Sequence, residues 1–323
     1  MSAVVRAGKR ADPLVVGVVG AGRVGAVVGA ALQAAGHHVI AAAAVSAASR
    51  ERAERLLPSA EILPVDDVAR AAEDLLLLAV PDDALASVVA GLAATGALRE
   101  GTTVAHTSGA HGLAILGSAL GSDGPPARDG SALGSDRPPA RDGNGRRSGI
   151  ALHPAMTFTG AAADLDRLPG IAWGVTADDR AFAARLVTDL GGVPEWIAEE
   201  ARPLYHAALA HGANHLVTLV NEAADLLRAA GVEHPETVLS PLLHAALDNA
   251  LSLGDAALTG PVSRGDAGTV RKHRDAIAAE SVPMYLALAR RTADRAVAAG
   301  RLRPQDAALL LEVLAPATVG STS

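Results

Sequence analysis

The sequence predicts an α/β protein in which an N-terminal doubly wound sheet is followed by an all-helical C-terminal domain. Three observations support this fold class. Short apolar runs rich in β-branched residues alternate with helix-period segments up to about residue 197. A glycine-rich turn follows the first of these runs. Beyond Glu199 we find only helical segments, which glycine and proline breaks separate.

The first predicted strand is Leu14–Val19, an apolar run of the kind that is buried on both faces of a sheet. It leads directly into G-A-G-R-V-G and then into a helical segment that stops at Gly36. This glycine pattern between a strand and a helix is the dinucleotide fingerprint, in which the turn approaches a pyrophosphate and the helix N-terminus binds it. We therefore expect cofactor contacts at Gly20, Gly22, Arg23, Val24 and Gly25.

The end of the second predicted strand, His38–Val45, indicates which dinucleotide binds. A chain that prefers NAD places Asp or Glu about 20 residues after the glycines. This chain has serines and arginines instead, and hydroxyls with a guanidinium suit a 2′-phosphate. We predict NADP(H), bound through Ser46 and Arg50. The alternative is that Ser46 or Ser49 caps the next helix and the arginines are solvated, and capping is compatible with phosphate binding.

The later strands place further candidates at the ligand-binding edge of the sheet. The remaining predicted strands are Glu61–Leu63, Leu75–Val80, Thr103–Ala105, Gly149–Leu152, Gly170–Val175 and Val193–Ile197. Ligands of open α/β sheets lie beyond the carboxyl ends of the strands. We expect Val80, Pro81 and His106 to border the cofactor and Ser108 to contact the substrate.

The 323 residues suggest two domains. Residues 117–130 and 130–143 form a tandem duplication rich in Gly, Pro, Ser and Asp, so we predict a disordered insertion. The predicted organisation is a disordered leader at 1–13, a dinucleotide-binding domain at 14–197 with the insertion at 117–148, a helical substrate and dimerisation domain at 198–316, and a tail at 317–323.

Composition excludes several classes of function. The absence of cysteine excludes disulfides, thiolate nucleophiles and cysteine metal sites, and we assign no metal. A net charge of −7 with two Trp, two Tyr and two Phe argues against nucleic acid as a partner. No segment reads as a membrane span or a signal core, so we expect no membrane partner and a cytoplasmic location.

Proton transfer must come from histidines, carboxylates or tyrosines, because Lys9 and Lys272 are the only lysines and arginine is a poor donor. A long helix is predicted over Pro203–Ala230, with His206 on its apolar side. Its polar stripe contains His211, Asn214, His215, Thr218, Asn221, Glu222 and Asp225. The stripe is either a site or a solvated face. On the first interpretation His211 donates the proton, Asn214 orients the substrate oxygen and Thr218 contacts the substrate.

Two further candidates lie elsewhere. His153 follows the strand at Gly149–Leu152 and is the reserve proton donor. Arg264 and Asp266 lie in a Gly/Pro-rich loop that leads into a helix, and together they suit the binding of a substrate carboxylate. The alternative for Arg264 and Asp266 is a structural ion pair that staples the turn.

These motifs resemble a known family, the Rossmann-like proteins that carry a C-terminal domain of unknown function called DUF2520. The family is related to ketopantoate reductases, pyrroline-5-carboxylate reductases and NADP:F420 oxidoreductases within the 6-phosphogluconate dehydrogenase-like group. The resemblance runs along nearly the whole chain, through V-V-G-A-G-R-V-G, A-V-P-D-D, H-T-S-G, L-H-P, L-Y-H-A-A and T-G-P-V-S-R-G-D-A-G-T-V.

The resemblance implies an NADP-linked reductase of a small carbonyl or imine acid that forms a homodimer through its helical domain. Ketopantoate (2-dehydropantoate) is the best single substrate expectation, and a cyclic imine or coenzyme F420 is the alternative. Ketopantoate-type reductases use a Lys one turn before an Asn, whereas this chain has Ala210 one turn before Asn214. A histidine would therefore act as the acid, or the protein would be a non-catalytic NADP-binding or sensing protein.

Overall fold

The computed structural model describes residues 12–121 and 147–315. The predicted leader and tail lie almost entirely outside the described residues. In the described part, the chain forms two compact units that meet between Ala210 and His211 in sequence. The predicted boundary lay at residue 198, so the segment from Glu199 to Ala210 belongs to the sheet-containing unit rather than to the helical one.

The first unit contains one eight-stranded sheet. Its strands are β1 (Val15–Val19), β2 (His38–Ala43), β3 (Glu61–Ile62), β4 (Leu75–Leu78), β5 (Thr103–His106), β6 (Gly149–Pro154), β7 (Ala172–Ala177) and β8 (Val193–Trp196). Their spatial order is β3-β2-β1-β4-β5-β6-β7-β8. All neighbours pair in parallel except β6 and β7, which are antiparallel. The predicted doubly wound sheet is confirmed, and its strand order reverses between β1 and β4.

Helices cover both faces of this sheet. The α-helices of the first unit are α1 (Arg23–Ala34), α2 (Ala47–Leu56), α3 (Val65–Ala71), α4 (Asp82–Ala94), α5 (Gly117–Leu120), α6 (Arg180–Asp189) and α7 (Arg202–Leu209). Short 3-10 helices occupy Leu113–Leu116, Ala162–Arg167 and Glu199–Ala201. Among the described residues, no helix has both the length and the apolar character that crossing a bilayer requires.

Strand β4 illustrates why the sheet has a core on each face. Its four leucines are all buried, as expected for a strand covered on both sides. Leu75 and Leu77 belong to the cluster that α1 and α6 cover, whereas Leu76 and Leu78 belong to the cluster around α3 and α4. Successive side chains point to opposite faces, so a continuous apolar run fills two cores.

The second unit is helical, as predicted. Its helices are α8 (His215–Ala229), α9 (Pro235–Leu253), α10 (Gly260–Ser263), α11 (Ala267–Ala276), α12 (Val282–Ala298) and α13 (Pro304–Val313), with a 3-10 turn at Gly254–Ala257. Val270, Leu310 and Leu314 are fully buried in its core, which α10 to α13 build. The apolar side chains of α8 and α9 contribute little to that core and are largely exposed in the single chain.

Two predictions need correction in detail. The long helix over Pro203–Ala230 is not regular, because the backbone widens into a π-helical turn at Ala210–Asn214. The predicted insertion at 117–148 has ordered ends, since Gly117–Leu120 forms α5 and the Arg147 guanidinium donates to the carbonyls of Leu98, Arg99 and Ala119. The remainder of the insertion, 122–146, lies outside the described residues.

Candidate functional site

The turn between β1 and α1 has the shape that a phosphate cradle needs. Gly20 adopts φ +95°, a conformation that side chains with a Cβ rarely adopt. A Cβ on Gly25 would overlap the carbonyl oxygen of Gly20, so only glycine lets α1 start this close to the turn. Gly22, by contrast, faces open space, and no side chain caps α1. The first amides of α1 are therefore free to bind an anion.

The segment after β2 carries serines and arginines close to this cradle. Ser46 caps α2, because its Oγ accepts a hydrogen bond of 3.1 Å from the Ser49 amide. Arg50 is exposed, and its Nε donates to the carbonyl of Ala44 at 3.2 Å. Arg52 is half-buried, and its Nη1 lies 3.5 Å from the Ala21 carbonyl oxygen within the glycine turn. Sequence reasoning did not select Arg52, although it lies two residues after Arg50.

The carboxyl ends of β4 and β5 hold the next group of predicted residues. After β4, Val80 is half-buried and Pro81 is exposed. After β5, the Ser108 hydroxyl is buried and accepts a hydrogen bond from the His111 amide at 3.2 Å. His106 requires a correction, because its side chain is fully buried beneath the turn rather than turned toward a ligand.

Both ring nitrogens of His106 make hydrogen-bond contacts with the turn that follows β5. Nδ1 accepts from the Ser108 amide at 3.2 Å, and Nε2 lies 2.9 Å from the Gly112 carbonyl oxygen. Desolvation lowers the pKa of His106 to about 4, so the ring is neutral at neutral pH. The role of His106 is to fix the shape of residues 107–112, which we call the β5 turn.

A second element holds the β5 turn and the two residues that follow it. The Glu199 carboxylate accepts hydrogen bonds from the amides of Leu113 and Ala114, at 2.7 and 3.0 Å. The Arg202 guanidinium donates to the Ser108 carbonyl at 2.8 Å and to the Thr176 hydroxyl at 3.1 Å. Residues 199–206, which we call the anchor segment, therefore tie the β5 turn to β7.

The anchor segment also reaches His153, near the carboxyl end of β6. His153 Nδ1 lies 3.0 Å from the Tyr205 hydroxyl oxygen, and the two rings meet edge to face. The other nitrogen, Nε2, lies next to the β5 turn, because a Cβ on Gly109 would be 3.0 Å away from it. Desolvation, followed by the Arg202 charge, lowers the pKa of His153 to about 4.

His206 was expected on the apolar side of its helix, and it lies half-buried beside the same group. Its ring centroid is 6.0 Å from that of His153, and a Cβ on Gly109 would come within 2.6 Å of its Cδ2 atom. The structure thus brings together Ser108, His153, Tyr205 and His206. The spacing of Glu199, Arg202 and Tyr205 at intervals of three residues was the available signal, since such residues share one helical face.

The predicted site residues of the second unit are exposed. His211, Asn214 and Thr218 lie on the surface of that unit, and the Nδ1 atoms of His211 and His215 lie 3.3 Å apart. Asp266 caps α11 by accepting from the Thr269 amide at 3.0 Å, which lowers the Asp266 pKa. The ion pairs of the described residues do not include Arg264 with Asp266, so the stapled turn is not formed, and both side chains remain exposed.

Comparison with protein families identifies both parts of the chain. Residues 2–124 match the Rossmann-like domain, and residues 171–292 match the domain of unknown function DUF2520. The two domains that the sequence motifs resemble are thereby confirmed. No curated protein matches the sequence.

Solved structures share the fold at low sequence identity. A proposed NADP oxidoreductase from Bacteroides fragilis is 19% identical, with a TM-score of 0.69 over 87% of this chain and 98% of its own. A Thermotoga maritima protein is also 19% identical, with a TM-score of 0.61 over 88% and 100%. A reductive aminase from Aspergillus terreus, solved with NADPH and ethyl-5-oxohexanoate, is 20% identical, with a TM-score of 0.58 over 90% and 96%.

Proposed function

We propose that this chain, which joins a Rossmann-like domain to a DUF2520 domain, is an NADPH-dependent oxidoreductase that reduces a small carbonyl or imine acid. The observation that supports the proposal is that two groups of candidate residues share one edge of the sheet. The glycine cradle after β1 and His153 on β6 both lie at the carboxyl ends of mutually parallel strands. Ligands of doubly wound folds bind at that edge.

The residues present fit NADP(H). Gly20, Gly22 and Gly25 would hold the pyrophosphate at the free amides of α1, where no acidic side chain occupies the first turn. Ser46 and Arg50, with Arg52 beside them, would hold the 2′-phosphate through hydroxyls and guanidinium groups. The NADPH-bound reductase among the structural relatives supports the same choice.

Bound NADPH would supply the hydride, and this chain must supply the proton. We place the proton donor at His153 because its Nδ1 is held by Tyr205 and its Nε2 lies at the β5 turn. His211 and Asn214 remain predictions from the second unit, as do Arg264 and Thr218 for substrate binding. The variants His153→Gln and His211→Gln test which of the two candidate histidines is the proton donor. We expect His153→Gln to lower kcat by about 100-fold or more, as loss of a general acid does.

The test of the function is NADPH oxidation by the purified protein with a panel of 2-oxo acids, cyclic imines and coenzyme F420. Ketopantoate is the first compound to assay, because the resemblance favours it. Turnover of one class of compound identifies the substrate. Tight NADPH binding without oxidation in the presence of any compound would overturn the reductase and leave a cofactor-binding protein.

Cofactor choice is tested at Arg50. We expect Arg50→Ala to raise the Kd for NADPH by about tenfold or more while that for NADH changes little, since a hydrogen bond to a charged group contributes about 1.5–3 kcal/mol. Arg55→Ala is the matched control, because Arg55 lies on the same helix and pairs with Glu51. Equal losses for both cofactors in a titration of Arg50→Ala would contradict the assignment to NADP.

A further inference from the structure

We propose that Tyr205 is a positioning residue for His153: its hydroxyl keeps the ring proton on Nε2 and supplies a replacement proton to Nδ1. The buried Arg202 cation then stabilises the Tyr205 phenolate that results. This inference rests on the proposed function, because it describes how His153 delivers a proton. The sequence selected His153 as the reserve proton donor but neither Tyr205 nor Arg202, and the three residues come from β6 and α7.

The direction of the hydrogen bond follows from the surroundings of the Tyr205 oxygen. The oxygen packs on Gly174, where a Cβ would come within 2.5 Å of it, and the hydrogen bond that the structure gives this oxygen is with His153 Nδ1. If Nδ1 carried the proton and donated it, the hydroxyl hydrogen would have no acceptor within this pair, whereas a hydroxyl that donates to Nδ1 uses its hydrogen there. The neighbouring acceptor is His153 Nδ1 at 3.0 Å. Donation from Tyr205 to Nδ1 leaves the ring proton on Nε2.

Burial keeps both partners in the required protonation states. Desolvation raises the pKa of Tyr205, so its hydroxyl stays protonated at neutral pH. The His153 ring is neutral, since desolvation and then the charges of Arg202 and His206 lower its pKa, and Asp82 opposes them only weakly. A neutral imidazole is a weak acid on its own. The imidazole becomes a more effective donor when a phenol gives Nδ1 a proton as Nε2 loses one.

The proton moves in two steps. The substrate oxygen or imine nitrogen takes the proton from Nε2, so that this N–H bond breaks and a new O–H or N–H bond forms. Nδ1 takes the hydroxyl proton of Tyr205, so the imidazole returns to its neutral form and the phenolate carries the negative charge. After the product leaves, Nε2 takes a proton from water and Nδ1 returns its proton to the half-buried phenolate, which restores the starting tautomer. The hydride comes from the NADPH of the proposed function.

Arg202 explains how a half-buried phenolate is tolerated. Its side chain is fully buried, and its hydrogen bonds within the described part of the chain go to neutral groups, the Ser108 and Gly174 carbonyls and the Thr176 hydroxyl. Among the described residues its Nε has no hydrogen-bond partner. A buried cation without a close carboxylate favours negative charge nearby, and its carbon Cζ lies 6.0 Å from the centre of the Tyr205 ring.

The chain contains a matched control for the test. Tyr285 is the other tyrosine, and its hydroxyl lies 3.0 Å from His273 Nδ1, the same distance as in the Tyr205–His153 pair. Tyr285 belongs to the helical unit, in whose described part no arginine is buried. Tyr205→Phe and Tyr285→Phe therefore remove the same hydroxyl from the same kind of pair at two places.

The first measurement is the tautomer of His153 by nitrogen-15 NMR of the full chain, with His153→Gln identifying its signals. We expect the wild-type ring to be protonated on Nε2 alone. In Tyr205→Phe we expect both tautomers, whereas Tyr285→Phe leaves the His153 signals unchanged. A wild-type ring protonated on Nδ1, or a tautomer that Tyr205→Phe does not change, would overturn the inference. This result does not depend on turnover, so it is separate from failure of the reductase.

The second measurement is the pH profile of turnover. We expect the wild-type kcat not to follow a titration near the ordinary histidine pKa of 6.5, because His153 is neutral on both sides of it. Tyr205→Phe should lower kcat by about tenfold or more with little change in KM, as expected for a group that assists only proton transfer. A change in KM with unchanged kcat would show that Tyr205 only shapes the site, which would overturn its proton-supplying role.

Discussion

At the scale of single residues, two glycines of the β1–α1 turn have opposite constraints. Gly25 has no room for a Cβ, because the Gly20 carbonyl and the Ala79 side chain occupy that space. Gly22 has open space around it and a φ of −73°, so alanine fits its backbone without strain. The free space at Gly22 is the space that a pyrophosphate would occupy. A substitution at Gly25 is therefore expected to affect folding, and one at Gly22 to affect cofactor binding.

We expect Gly25→Ala to lower the free energy of unfolding by about 1–3 kcal/mol, as overpacking does. Gly22→Ala should leave the Tm nearly unchanged and raise the Kd for NADPH by about tenfold or more, because the new methyl group keeps the phosphate from the amides. Calorimetry and a fluorescence titration measure these two quantities.

Gly91→Ala in α4 is the control for the two glycine variants. A Cβ there meets no atom within 4 Å, so we expect neither a lower free energy of unfolding nor a higher Kd for NADPH. If Gly22→Ala bound NADPH as tightly as wild type, the cradle would not be the pyrophosphate site.

At the scale of elements, the anchor segment determines the shape of the candidate site. It is helical but packs with the sheet-containing unit, and α7, in which it ends, leads into the π-helical turn that begins at Ala210. It holds the Leu113 amide, just after the β5 turn, through Glu199, and it holds the β5 turn through Arg202 and His153 through Tyr205. The position of the proton donor relative to the β5 turn thus depends on one short helical stretch.

We expect Glu199→Ala to increase hydrogen exchange at the Leu113 and Ala114 amides by about tenfold, since about 1.4 kcal/mol of local stability corresponds to that factor. The cause is loss of the carboxylate that accepts both amides. Exchange mass spectrometry of the peptide that contains residue 113 measures it.

Glu200→Ala removes the adjacent carboxylate, which is exposed and does not accept the Leu113 or Ala114 amide, so it should leave exchange at both amides unchanged. Equal protection in wild type and Glu199→Ala would mean that these two amides are held by other contacts.

At the scale of the whole molecule, helices α8 and α9 pack on each other and leave large apolar side chains exposed in the single chain. Val217 and Leu242 are each 61% exposed, and Leu251 is 79% exposed. Exposed apolar surface of this extent on neighbouring helices marks an interaction surface. We propose that this surface forms the homodimer interface of the helical unit, as the resemblance implies.

We expect sedimentation to give twice the chain mass of 32.4 kDa for the wild-type protein. Leu242→Asp should shift it toward the monomer, because a buried unpaired carboxylate at an interface is costly. Leu309→Asp, a similarly exposed leucine on α13, serves as the control and should remain dimeric. A monomeric wild-type protein at micromolar concentration would contradict the dimer.

Much of the fold was predictable because its signals are local. The alternation of apolar strands and helices located all eight strands to within a few residues, and β4 showed its burial on both faces in its four leucines. The glycine turn was predictable as well, since its spacing reflects steric needs within a few residues. The π-helical turn at Ala210–Asn214 was not predictable, because helical periodicity assumes a regular helix.

The sequence by itself determined the sheet, the cofactor cradle and the helical second unit, because periodicity and glycine sterics act between near neighbours. Only the tertiary structure decided which groups surround the candidate proton donor. His153 and Tyr205 are 52 residues apart in sequence, and Arg202 meets Ser108 across 94 residues. No local pattern records such contacts, since they form when the anchor segment packs on β6, β7 and the β5 turn and excludes the water that would otherwise solvate these groups.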